Sequence, residues 1–277
     1  MENNGKLLAS NPQSQQTAIG IFKKRSLSKT IRGILLPLIV LLSWQLASMQ
    51  GLISDQLFPA PLTILDEFFH LIRTGELFPH LKISFIRAAL GFLIGGGAGL
   101  LLGILVGMFR KIEETVDPSV QMLRTIPLLA VTPLFILWFG FGELSKVLLI
   151  SLGSFFPMYV NTFLGVRNVD AKLIEVSRVL EFSRLKQVTR LILPSALPNV
   201  LLGLRLSLSV AWLVLVVAEL MGADEGIGYL IQDARSFMQT DVVFVGIGIF
   251  AAIGKLSDSI VKWFEDRLLR WRDSYRG

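Results

Sequence analysis

Six long apolar stretches alternate with polar ones along the chain. They lie near Ile31–Met49, Ser84–Met108, Leu128–Phe141, Val147–Val166, Val200–Met221 and Val242–Phe264. A bilayer core of about 30 Å is crossed by roughly 20 apolar residues in a helix. The pattern therefore predicts an all-α, polytopic membrane protein with six transmembrane helices. The third stretch is short and carries Pro133, so it is expected to borrow length from Thr125 to Pro127. Between Gly51 and Lys82, the run Phe58-Pro59-Ala60-Pro61 opens a segment with Leu62, Leu65, Phe68, Phe69 and Ile72 at helical spacing. That spacing predicts an amphipathic helix with these five on one face. Residues 1–30, rich in Asn, Gln, Ser and Lys, read as a disordered cytoplasmic tail. The polar lead is too long, and the apolar run after it too extended, for a cleaved signal peptide. Residues 31–268 then form one membrane domain, with 269–277 a short tail. No internal repeat and no second domain is visible.

Composition agrees. Of 277 residues, 52% are hydrophobic and only 17% charged, with a mean hydropathy of +0.62. A soluble domain carries about 25% charged residues. There is no cysteine, which excludes disulfides and thiolate metal sites, and His70 and His80 are too few for a histidine metal centre. The net charge of +6 matters through its distribution. Lys6, Lys23, Lys24, Arg25, Lys29 and Arg32 precede the first stretch. Arg110, Lys111 and Arg124 follow the second, six more fall between Arg167 and Arg190, and five between Lys262 and Arg276. Arg73, Lys146 and Arg235 stand on the opposite side. The positive-inside rule places both termini and the loop after Arg167 in the cytoplasm. A charge split among four segments beside membrane spans argues against nucleic-acid binding.

Within the spans, Gly91, Gly95, Gly99, Gly103 and Gly107 recur every fourth residue. Such a ridge lets a second helix approach closely, either as ordinary packing or beside a moving interface. Arg205, Ser209, Trp212, Val216 and Glu219 share one face of the fifth span. Charged groups inside a span face a cavity or a partner. One reading makes this stripe the lining of a pathway, with Arg205 offering a cation and Trp212 an apolar wall. The other makes Arg205 and Glu219 structural anchors near the two membrane surfaces. Ser151, Ser154, Met158 and Asn161 form a second polar face on the fourth span, for interhelical hydrogen bonds or pore lining. Lys255, Asp258 and Lys262 suit a local ion-pair network. No catalytic constellation is present. Gly254-Lys255 is followed by Leu256, with no glycine five residues before Gly254, so the phosphate-cradling Walker loop is absent. The chain reads as a non-enzyme without a cofactor.

The polar stretch from Asp170 to Pro198, within the loop 167–199, carries the most specific signal. Leu173, Val176, Val179 and Leu180 form an apolar stripe on a short helix, with Lys172, Glu175 and Arg178 beside it. A helix with apolar anchors and a charged rim can dock into a groove, or lie on the inner leaflet. Glu175 followed sixteen residues later by Leu191-Ile192-Leu193-Pro194 resembles the EAA loop of binding-protein-dependent ABC importer permeases. Val176 and Ser177 stand at its two alanine positions and Glu181 at its glycine. A left-handed turn there would cost Glu181 sterically. Further stretches resemble the nitrate, sulfonate and taurine branch, closest to its aliphatic sulfonate importers. They are Gln121–Pro127, Pro133–Gly140, Tyr159–Thr162 with Gly165–Asp170, and Gly226–Tyr229 through Thr240–Val242. The resemblance runs from about Leu35 to Leu268 and implies the type I ABC importer permease fold in a bacterial inner membrane. It also implies cytoplasmic ABC ATPase subunits, an extracytoplasmic solute-binding protein, a second copy of the chain and surrounding lipid. Glu175, Val176, Ser177, Val179, Leu180, Glu181, Leu193 and Pro194 would then meet the ATPase, and Arg205, Ser209, Trp212, Ser154 and Asn161 are the pathway candidates. Sulfonate, taurine and nitrate all remain open as solutes, and an ion-driven carrier would need the inverted repeats that are not seen.

Overall fold

The computed structural model describes residues 35–269, which are helical with no strand among them. The tails expected at 1–30 and beyond 269 lie outside the described residues, apart from Leu269 itself. The chain divides into two units, one ending at Thr63 and one beginning at Ile64. In the first, helix α1 covers Leu35–Met49 and presents mostly exposed leucines. The loop after it is fastened by Ser48 Oγ donating to Asp55 at 2.7 Å and by Gln45 Oε1 accepting from the Leu62 N–H at 3.1 Å.

The second unit takes in most of α2 (Pro61–Thr74). It continues with α3 (Leu77–Met108), α4 (Arg110–Arg124), α5 (Leu128–Phe139), α6 (Glu143–Arg167), α7 (Ala171–Val179) and α8 (Arg184–Gln187). A π turn over Val188–Ile192 leads into α9 (Leu193–Gly222), followed by α10 (Ile227–Ser236) and α11 (Thr240–Leu268). Among the described residues four helical stretches are long and apolar enough to cross a bilayer: α3, α6, Arg184–Gly222 and α11. The pair α4 and α5 passes only jointly, and it is bent by 95°. Against the six spans expected, four or five are counted among the described residues; α1, described only from Leu35, is a shorter apolar helix, and the third span is the bent pair. The third stretch does not gain length from Thr125 to Pro127. Pro127 is extended and caps α5, and without an N–H it cannot continue the hydrogen-bond ladder of α4.

The glycine ridge explains the core. A Cβ on Gly99 would lie 2.5 Å from the Phe155 carbonyl oxygen, and one on Gly103 2.8 Å from Thr162 Cβ. Gly91 faces Ile150, Gly95 faces Ser151 and Ser154, and Gly107 faces Val166. The partners on α6 ascend in step with the glycines on α3, so the two helices are parallel and touch along their length. In lipid, such contact rests on dispersion and hydrogen bonds rather than on water exclusion. Since α3 and α6 run the same way, α4 and α5 must bring the chain back between them. Helix α9 runs antiparallel to α6, with Gly165 against Asn199 and Ala196, and Gly153 against Val214. The centre is filled by Ala88, Leu149, Ile150, Ala211, Trp212 and Leu215.

Helix α2 is amphipathic in a different sense from the expectation. Leu71 is buried and Ile64 and Phe68 pack with it against Leu77 and Ile227, while Leu62, Leu65, Phe69 and Ile72 remain exposed. Of the expected face only Phe68 turns inward. An exposed apolar face is at no disadvantage where the surroundings are lipid.

The ridge gives a paired test. Gly99→Leu forces a side chain into the Phe155 backbone and should cost about 1–3 kcal/mol. A Cβ on Gly97 meets nothing within 4 Å, so Gly97→Leu should be close to neutral. Thermal unfolding of the two purified variants in one detergent checks the contrast; equal losses would contradict the packing.

Candidate functional site

The loop at 167–199 forms the predicted short helix. Asp170 caps α7, its carboxylate accepting from the Lys172 N–H at 2.9 Å. Glu175 is exposed. Leu173, Val176, Val179 and Leu180 are 44%, 54%, 81% and 60% exposed, so the apolar stripe is uncovered. Ser177 faces inward, buried, accepting from Gln187 Nε2 at 3.1 Å. That bond ties α7 to α8. Leu193 is half-buried at the start of α9, and Pro194 follows it, exposed. Proline cannot donate to the carbonyl four residues back and its ring crowds it. The ladder widens there instead, with the Leu193 N–H reaching Val188 O through the π turn. The helix is thus continuous through Pro194, and Pro198 lies inside it.

Glu181 keeps the left-handed turn that a glycine would favour, with φ of 52°. The Glu181 N–H donates to Arg178 O and the Phe182 N–H to Ser177 O, both at 3.0 Å. These two bonds close a Schellman motif with glutamate in the glycine position. The conformation costs a side-chain-bearing residue roughly 1–2 kcal/mol.

The stripe on α9 divides between neighbours. Arg205 Nε donates to Asp258 of α11, which also pairs with Lys255 at 3.8 Å. Trp212 is buried and its Nε1 donates to Ser257 Oγ at 3.1 Å. Ser209 is exposed and donates to Arg205 O at 2.9 Å. Glu219 is buried, accepting from Arg87 Nη1 at 2.8 Å, Ser84 Oγ at 2.7 Å and the Gly228 N–H at 2.8 Å. A carboxylate at the N-terminus of α10 also meets the positive end of its dipole. Gly226, with φ of 125°, has no room for a Cβ beside that carboxylate. Arg87 in turn makes a fork to Glu143, both bonds 2.6 Å, and Lys146 reaches Glu143 at 3.2 Å. This cluster closes α3, α6, α9 and α10 at the end of the bundle opposite the coupling loop. Sequence reasoning passed over Arg87, although the rule that singled out Arg205, a charge inside an apolar span, applies to it equally. On α6, Ser154 is fully buried; it donates to Ser151 O at 3.1 Å, and its own carbonyl accepts from Ser207.

Asn161 alone of the pathway candidates lines a cavity, of about 490 Å³, between the α4–α5 elbow, α6 and α9. Arg124 and Ile126 line it from the elbow, Phe156 and Pro157 from α6, and Leu206 and Val210 from α9. Arg124, expected in an inner loop, is the last residue of α4 in the bent pair. Two contacts hold α4 to α6: Tyr159 Oη donates to Asp117 at 2.8 Å, and Arg167 pairs with Glu113 at 3.3 Å.

Apolar helices packed side by side thus carry an exposed amphipathic helix at one end and an ionic cluster at the other. Residues 99–270 match the family described as binding-protein-dependent transport system inner membrane component, and the chain belongs to that family. It is 60% identical to a permease named for aliphatic sulfonates transport, SsuC of Bacillus subtilis (strain 168), over 89% of this chain and 90% of that one. It is 45% identical to the SsuC permease of Escherichia coli (strain K12), over 87% and 91%. The fold also matches a crystal structure of an amino acid ABC transporter, with a TM-score of 0.61 and 19% identity over 72% of this chain and 98% of that one.

Two substitutions probe the geometry. Glu219→Ala strips a fully buried charge from Arg87 and should cost about 3–5 kcal/mol. Glu143→Ala should cost clearly less, because its side chain is 55% exposed. Thermal unfolding should rank them in that order, and the reverse ranking would contradict the network. Glu181→Gly should relieve the turn by about 1 kcal/mol, slowing amide exchange in residues 171–183 about fivefold; faster exchange would mean that the turn is not strained.

Proposed function

We propose that this chain is the membrane-crossing subunit of an importer that moves aliphatic sulfonate, a small organic anion, into the cell. ATP hydrolysis belongs to separate cytoplasmic subunits, which seat α7 in a cleft, and an extracytoplasmic binding protein delivers the solute. Two copies of the chain enclose the pathway, and both termini are cytoplasmic. The observation that carries the reading is the uncovered apolar stripe Leu173, Val176, Val179 and Leu180 beside Glu175. A soluble surface rarely leaves such a cluster bare unless a partner covers it. The identity with the two permeases named for aliphatic sulfonates supports the solute. The positive-inside distribution supports the orientation. For the pathway we take the face of α6 that carries Asn161 and the adjacent face of α9 as its lining. Arg205, Ser209, Trp212 and Ser154 then support that lining from the sides.

The reading is tested in proteoliposomes holding the complex with its ATPase subunits and binding protein. ATP should drive uptake of ethanesulfonate, and a proton gradient alone should not. Glu175→Ala should insert normally, weaken ATPase association and abolish uptake. Uptake without ATP, or normal uptake by Glu175→Ala, would overturn the coupling.

A further inference from the structure

Several cations of the crossing helices are paired. Arg87 and Lys146 share Glu143 and Glu219, and Arg205 and Lys255 share Asp258. Each is neutralised by a carboxylate of this chain. Arg124 is different. It is exposed, it ends α4 at the elbow, and it has no hydrogen-bond or ion-pair partner among the described residues. It stands on the wall of the cavity bounded by α5, α6 and α9, and no acidic residue lines that cavity.

The depth of the cavity follows from α6. Pro157 and Asn161 lie ten and six residues from the end of α6 at Arg167, roughly 15 and 9 Å along the helix. The cavity that Arg124 lines thus reaches to these levels of α6. A charge there is retained only facing water, a partner or a passing counter-charge. On the α6 wall of the cavity, one hydrogen of Asn161 Nδ2 is used on Pro157 O at 2.7 Å. The amide has a second hydrogen to donate. The rest of the lining is apolar, with Phe156, Leu206 and Val210 facing the two donors.

We infer that this cavity is an anion subsite in the pathway, in which Arg124 and Asn161 hold the sulfonate head while Phe156, Leu206 and Val210 receive the alkyl chain. The inference rests on the importer reading above and deepens it. A sulfonate has three acceptor oxygens, no donor and a charge that does not titrate near neutral pH. Arginine offers it a planar fork with a fixed charge. A cavity with one cation and no carboxylate admits anions and rejects cations, and its volume of about 490 Å³ suits a small organic molecule.

The test uses the assembled complex in proteoliposomes, with ethanesulfonate as the probe. Uptake by the unaltered complex tests the importer reading, and if it fails the subsite fails with it. Given uptake, Arg124→Gln should lower the ethanesulfonate moved per ATP hydrolysed by about tenfold or more. Arg124→Lys should restore part of that ratio. The chain has no cysteine, so Leu206→Cys adds the only thiol of this subunit. A small charged thiol reagent should modify it, ethanesulfonate should protect it, and the protection should vanish when Arg124→Gln is combined with it. Three results would overturn the subsite while leaving the importer intact. They are an unchanged ratio in Arg124→Gln, equal labelling with and without ethanesulfonate, and a Leu206→Cys thiol that never reacts because a second copy of the chain covers it.

Discussion

Backbone contact between α3 and α6 is the constraint from which the rest of the molecule follows. Five glycines remove the side chains that would keep the two helices apart, and the partner residues on α6 rise in step with them. In lipid there is no water to drive helices together, so close approach is what holds them. Parallel contact has a topological consequence. The chain must return between the two helices, and α4 with α5 does so at a bend of 95°. The elbow lies beside α6 and α9, its residues exposed. Asp117 on Tyr159 and Glu113 on Arg167 fix its lower arm. The cavity is what the bend leaves open.

Charge is arranged around that frame by one rule. An ion in a low-dielectric interior must be paired or face water. At one end of the bundle Arg87, Lys146, Glu143 and Glu219 balance, and they satisfy the first N–H groups of α10 together with Ser84 and His80. Along α11, Asp258 balances Arg205. These clusters fasten helices to one another, while Arg124 on the cavity wall has no carboxylate partner among the described residues. The loop at 167–199 follows the opposite logic: α7 leaves Leu173, Val176, Val179 and Leu180 exposed.

Most of the helical plan was legible, because apolar length and glycine spacing are local properties of a sequence. The apolar stripe and rim of α7 were legible for the same reason; whether Glu181 keeps the left-handed turn of the family glycine was not, and the structure shows that it does. What was not legible depended on relations between distant residues. Thr125 to Pro127 look like apolar padding until Pro127 is seen to end one helix and cap another. The faces of α2 differ little in hydropathy, so only packing against Leu77 and Ile227 shows which is buried. On α9, helical periodicity correctly put Arg205, Trp212 and Glu219 on one side. It could not say that α11 and α3 supply their partners, or that Leu206 and Val210, one position along, face the cavity. Arg124 was read as a loop cation because the sequence does not show that it meets α6 and α9 at a cavity.

The parallel register of α3 and α6 is most directly measured by oxidative cross-linking in this cysteine-free chain. A disulfide requires Cα atoms within about 7 Å, and the two ends of the glycine ridge lie roughly 24 Å apart along the helix. Paired substitutions Gly91→Cys with Ile150→Cys, and Gly107→Cys with Val166→Cys, join residues that face each other at the two ends. Both pairs should cross-link in membranes, and Gly91→Cys with Val166→Cys should not. Cross-linking of that mixed pair, with none in the matched pairs, would show the helices to be antiparallel. The return crossing, the elbow and the cavity would then have no basis.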